Sequence, residues 1–157
     1  MRFSNIASTI LTSASLLAVT LISAAPAQAQ FAKPEDAVKY RQSAMSLIGT
    51  HMGRVSAVVK GDKPYDKAAV EADTAALEFL SKLPWSAFTP GSETEKSRAK
   101  PEIWKEQDKF KASYEKMIAE AGKLSAAAKT GDLAAVKAAT GGLGKTCKNC
   151  HDDFKGK

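Results

Sequence analysis

Five consecutive residues, Cys147-Lys148-Asn149-Cys150-His151, set two thiols three positions apart and put an imidazole directly after the second. A thioredoxin-like redox pair at this spacing needs a strand–helix–strand setting, and strand signals are nearly absent from the chain. A structural zinc site needs four ligands; the chain holds two cysteines and two histidines, and the second histidine, His51, lies far upstream. A disulfide across one helical turn would distort the helix and staple almost nothing. Covalent haem attachment uses every feature of the motif. Thiols at i and i+3 share one helix face and form thioethers with the two vinyl groups of a haem, and the adjacent imidazole reaches the iron as proximal ligand. The motif therefore predicts one haem c, bound through Cys147 and Cys150, with His151 as the metal ligand.

The elements that must position these residues are helical. The 3.6-residue period of apolar side chains occurs four times. The first helix opens at Pro34 with Glu35-Asp36 at its positive end, carries Val38, Met45, Ile48, Met52, Val55 and Val59, and is closed by Gly61. Arg41 falls on the same stripe, which is costly for a buried face. Asp66 suits the cap of a second helix with Val70, Leu77, Leu80 and Leu83, ended by Pro84. From Pro84 to Lys100, Trp85, Phe88, Pro90 and Gly91 predict a loop packed by its aromatics. A single third helix is expected from Pro101-Glu102 onward, with Ile103, Phe110, Tyr114, Met117, Ala121, Leu124 and Ala128 on one face. After Thr130-Gly131-Asp132, the last helix carries Leu133, Val136, Thr140, Leu143, Cys147, Cys150 and Phe154. Gly141, Gly142 and Gly144 weaken it by roughly 1 kcal/mol each, which predicts that something bulky approaches its backbone there. Four helices with one apolar stripe apiece pack most simply as an all-α, up-down-up-down antiparallel four-helix bundle, here with a haem attached covalently.

With 157 residues, 44% hydrophobic and 25% charged, the chain has the make-up of one ordinary domain, which excludes wholesale disorder and a collagen-like fibre. A formal net charge of +6 does not choose among acidic partners. The basic residues spread over the helix faces with no recognition motif, so nucleic-acid binding is not expected. Residues 1–29 have the three parts of a secretory signal: Arg2, the apolar run Ile10 to Ile22, and Ala24-Ala25-Pro26-Ala27-Gln28-Ala29. The apolar run spans about 20 Å as a helix, too short for a hydrocarbon core of about 30 Å. Cleavage after Ala29 is expected, leaving residues 30–157 as the haem domain, exported to a bacterial periplasm. Export agrees with the motif, because c-type haem is joined to its protein outside the cytoplasm. No later segment is apolar enough to span a membrane.

A haem motif close to the C-terminus, on the last helix of a bundle, resembles the class II cytochromes c and in particular cytochrome c′, itself a standard example of this bundle topology. The resemblance runs through Gln30 to Asp36, Tyr40-Arg41-Gln42-Ser43, Lys60 to Asp66 and Pro101-Glu102-Ile103-Trp104. It implies that Arg41 and Gln42 hold the haem propionates, which would give the misplaced arginine a carboxylate to meet. The alternative is an Arg41 whose stem covers the bundle edge while its head reaches water. It sets Lys155 where some relatives have arginine; a proximal role and a solvated terminal lysine both stand. It assigns Met45 to the distal side of the iron, where two readings are open. As an apolar plug, Met45 leaves a five-coordinate iron that admits small gases such as NO. As a thioether ligand opposite His151 it fills the sixth site, raises the reduction potential and suits a dedicated electron shuttle; Met45 also fits as core filler. His51, six residues beyond Met45, is expected to face elsewhere. The resemblance further implies unidentified redox partners and a homodimer through the first two helices. A peroxidase-type enzyme needs distal acid–base groups that the apolar stripe lacks, so the chain is expected to be no enzyme.

Overall fold

The computed structural model describes residues 30–94 and 96–156; the expected signal peptide lies outside the described residues. Helix α1 (Pro34–Lys60) starts with Pro34 in its first turn. It ends where Gly61 turns left-handed at φ 84°, returning its N–H to Val58 O while Asp62 N–H reaches Ala57 O. Helix α2 (Lys67–Leu80) is capped by Asp66, whose carboxylate accepts from Ala69 N–H at 3.2 Å. It stops at Leu80, short of the expected Leu83. There the buried Ser81 bends its hydroxyl back to Glu78 O, and its carbonyl accepts the Trp85 indole N–H. A 3-10 turn, Pro84–Ala87, then opens the loop.

The expected single third helix is two. A single turn, α3 (Glu102–Lys105), is separated from α4 (Gln107–Thr130) by Glu106, whose φ of −114° and ψ of 51° are not helical. The cause is tertiary: Trp104 Nε1 donates to Thr89 O at 3.1 Å and holds α3 to the loop, while Gln107 Nε2 covers the freed Trp104 carbonyl. Gly131 (φ 77°) ends α4, and Asp132 caps α5 (Leu133–Phe154) through Ala134 N–H at 2.8 Å.

The four long helices close into an up-down-up-down bundle in which α1 packs on α2, α2 on α4, α4 on α5 and α5 back on α1. Val55, Val70, Leu77, Leu124, Val136 and Leu143 are fully buried at its centre, each such side chain contributing about 2 kcal/mol of apolar transfer. Leu133 departs from the expected stripe: it is 39% exposed in the first turn of α5. A second, aromatic cluster forms where the loop covers one end of the bundle. It buries Ile103, Phe110 and Phe154 against Trp85, Phe88, Trp104, Tyr114 and Cys150, with Trp85 stacked on Tyr114 at 4.7 Å between centroids. Among the described residues, no helix is long and apolar enough to cross a membrane.

Candidate haem site

Where α1 and α5 diverge they leave a cavity of about 660 Å³, walled by both helices, the loop and α4. The six residues singled out from the sequence, Arg41, Gln42, Met45, Cys147, Cys150 and His151, all line it, although they come from opposite ends of the chain. Its volume lies within the range of small-molecule and cofactor sites. Cys147 and Cys150 are both free thiols and half-buried on the α5 wall. His151 follows on the same wall, and Met45 lies on the α1 wall.

These residues fit a covalently held haem. The thiols share one helix face against a largely apolar space. A Cβ built on Gly49 or Gly53, both in the α1 wall, would meet nothing within 4 Å. Those two glycines, four residues apart on the stripe of Met45 and Met52, were visible in the sequence but no role was drawn from them. The glycines that were given one do something else. Gly141, Gly142 and Gly144 do not line the cavity. A Cβ added at Gly141 would meet nothing within 4 Å, one at Gly144 would make ordinary contact with Met52, and one at Gly142 would meet the flexible end of Glu120.

Arg41 is 3% exposed, and its head does not reach out to water. One terminal nitrogen donates to Ala87 O at 2.8 Å and Ser92 Oγ at 2.7 Å; the other donates to Ser92 O at 2.8 Å and Ser97 Oγ at 2.9 Å. The guanidinium also lies 4.6 Å from the Phe88 ring centroid and 5.7 Å from that of Trp104. Burial pushes its pKa below the ordinary value, with Glu93 opposing. Gln42 joins the same loop, donating to Lys96 O at 3.0 Å. Sequence reasoning missed these partners. Arg98, Ala99 and Lys155 also line the cavity. His51 is not part of the wall; its Nδ1 pairs with Asp73 of α2 at 2.7 Å.

Burial, and then the charge of Lys155, holds the His151 imidazole below its usual pKa, with Asp152 opposing; the neutral ring is the form that binds a metal. Burial raises the Cys147 thiol. Burial, then Cys147 and Asp153, pushes Cys150 up to about 11. Fewer thiolates then exist at a given pH. In haem-free chain at pH 8, alkylation of Cys150 by iodoacetamide is expected to run slower than that of a free cysteine, whose pKa is about 8.5, on the order of a hundredfold. The rate should climb until about pH 11. The bound proton also favours the folded chain, so this contribution is complete below the ordinary thiol pKa and lost as pH rises through about 11. A rate titrating like a free thiol would contradict the burial of Cys150 on the wall.

The profile of the family described as Cytochrome C′ matches residues 36–155. Cytochrome c′ of Alcaligenes xylosoxydans xylosoxydans is 52% identical over 128 residues, which are 82% of this chain and 99% of the relative. The crystal structure of cytochrome c′ from Rubrivivax gelatinosus superposes with a TM-score of 0.78 at 48% identity, covering 80% of this chain and 99% of that one. A nitric oxide complex of a variant cytochrome c′ from Alcaligenes xylosoxidans gives a TM-score of 0.78 at 50% identity, covering 82% and 99%. With the family profile matched over residues 36–155 and the relatives matched along nearly their full length, the chain belongs to the cytochrome c′ family.

Proposed function

We propose that this chain is a periplasmic haem c protein that binds small gases, NO among them, at an iron held by His151, and that it also passes single electrons. The observation that carries the reading is the meeting of Cys147, Cys150 and His151 with Met45 across one cavity. The haem, when bound, supplies an iron with a site for a diatomic ligand and a one-electron couple. The chain's residues do the rest. Cys147 and Cys150 anchor the group and His151 is its proximal ligand. Met45, Gly49, Met52 and Gly53 give the α1 wall a small, apolar stretch that leaves room on the distal side. Arg41 and Gln42 hold the haem carboxylates; both are already fixed to the loop, and the four bonds of Arg41 leave Nε–H as its fifth donor. The NO complex of the Alcaligenes relative supports the gas assignment.

No catalysed turnover is part of the proposal. Among the described residues that line the cavity there is no Asp, no Glu and no second His to serve as a distal acid or base. A homodimer through α1 and α2 belongs to the same reading, in which Leu47 and Phe79, 50% and 65% exposed, supply apolar contact. The signal peptide expected in residues 1–29 supplies the export.

The deciding measurement is the absorption spectrum of the ferrous, haem-loaded chain. A broad, unsplit high-spin band that shifts on adding NO is expected, and Met45→Leu should leave it unchanged. Sharp low-spin α and β bands that vanish in Met45→Leu would establish the second reading. That reading is Met45/His151 ligation in a dedicated electron carrier, kept because Met45 lies on the same cavity as His151.

A further inference from the structure

The last four carbonyls of a helix have no partners within it. Helices α1 and α4 answer this with a left-handed glycine immediately after the helix, Gly61 and Gly131. Helix α5 does not: Lys155 follows in extended conformation, φ −115° and ψ 127°. Its final carbonyls are satisfied otherwise. His151 O accepts from Lys155 N–H at 3.1 Å. The other three all go to one residue of the loop. Lys100 gives its backbone N–H to Phe154 O at 3.0 Å, and its ammonium to Asp152 O at 2.8 Å and Asp153 O at 3.1 Å.

The neighbours of Lys100 extend this attachment. Ala99 and Lys155 form an isolated antiparallel bridge, and Gly156 N–H reaches Arg98 O at 2.7 Å. On the inner side Phe154 is buried against Ile103 and Phe110. The terminal turn of α5 is thus gripped from outside by Lys100 and from inside by aromatic packing. A cation at the negative end of the helix adds a favourable charge–dipole interaction. The turn held in this way begins at His151.

We propose that Lys100 is a positioning residue for His151: by fixing the carbonyls of Asp152, Asp153 and Phe154 it sets the orientation of the last turn and so of the imidazole at the cavity. The inference rests on the reading of His151 as iron ligand and extends it to a residue of the loop that never touches the cavity. An ordinary capping lysine would stabilise the helix end without altering the imidazole, and this difference can be measured.

The test uses the haem-loaded full chain as wild type, Lys100→Met, which keeps the aliphatic stem, and Lys100→Arg, which keeps cationic donors. Two quantities are read: amide hydrogen exchange over residues 152–156, and the iron–histidine stretching band in the resonance Raman spectrum of the ferrous protein. Lys100→Met is expected to speed exchange at Lys155 and Gly156 about tenfold, as loss of one or two net hydrogen bonds does. It should also shift and broaden the iron–histidine band, and Lys100→Arg should restore most of both. Faster exchange with an unmoved band would reduce Lys100 to a helix cap and overturn the proposal, as would no change in either. Should Lys100→Met yield no folded protein, Lys100→Gln is read against the same two outcomes. A wild-type chain that carries covalent haem but shows no iron–histidine band overturns the five-coordinate reading of His151 on which the proposal rests, so the two failures separate.

Discussion

The double substitution Cys147→Ser, Cys150→Ser is expected to abolish covalent haem completely, leaving none on the chain after denaturation and acidic extraction. Both thiols are half-buried on one wall of the cavity and the sequence holds no third cysteine, so nothing else in it can form a thioether. Serine matches the shape of cysteine but makes no thioether. What remains is apolar burial in a space of about 660 Å³ and the bond proposed from His151, and extraction breaks both. Single substitutions should each retain haem through the surviving thiol. Mass spectrometry of the denatured chain reads the result directly, and haem mass retained on the double variant would overturn the attachment proposed for this motif.

Arg41→Met is expected to lower the stability of the haem-loaded protein by about 3 kcal/mol, a fall in midpoint temperature of about 10 °C for a domain of this size. The arginine is nearly inaccessible and its two terminal nitrogens serve four acceptors. Methionine fills much of the volume but strands Ala87 O and Ser92 O, buried carbonyls that cost about 1–3 kcal/mol each when unpaired. Relief from burying a charge offsets part of that loss. Arg41→Lys should recover only a fraction, because an ammonium lacks the planar fork that reaches Ala87, Ser92 and Ser97 together. Thermal denaturation followed by circular dichroism checks both variants. A change below about 1 kcal/mol in Arg41→Met would mean that the loop is held by its aromatics alone.

The features legible in the sequence were those decided locally. The caps at Asp66 and Asp132 and the glycine stops at Gly61 and Gly131 depend on a few adjacent residues, and the structure has each of them. The i, i+3 thiols and the stripe that carries Met45 follow from helical geometry alone, and they converge on one cavity. The features that escaped depend on partners distant in the chain. The break at Glu106 follows from Trp104 reaching Thr89. Arg41 could be seen as misplaced on a core stripe, but its acceptors are ordinary serines and carbonyls 46 to 56 residues away. Lys100 gave no signal, since a lysine that caps a distant helix looks like any other surface lysine. The glycines show a third kind of error. A run of three in α5 drew attention, whereas the pair that lines the cavity, Gly49 and Gly53, carried its meaning in its phase relative to Met45.

The division of the cavity between α1 and α5 has a consequence for the order of events as the chain folds. Helices α1 and α2 form one hairpin and α4 and α5 another, each joined by a short connection. Contacts near in sequence close sooner than those that must first enclose a long stretch of chain. The hairpins therefore precede the seam, and the cavity comes into being only when they dock, with Arg41 and the loop drawing the α1 side to the end of α5. The two walls of the proposed haem pocket therefore meet only at this docking step.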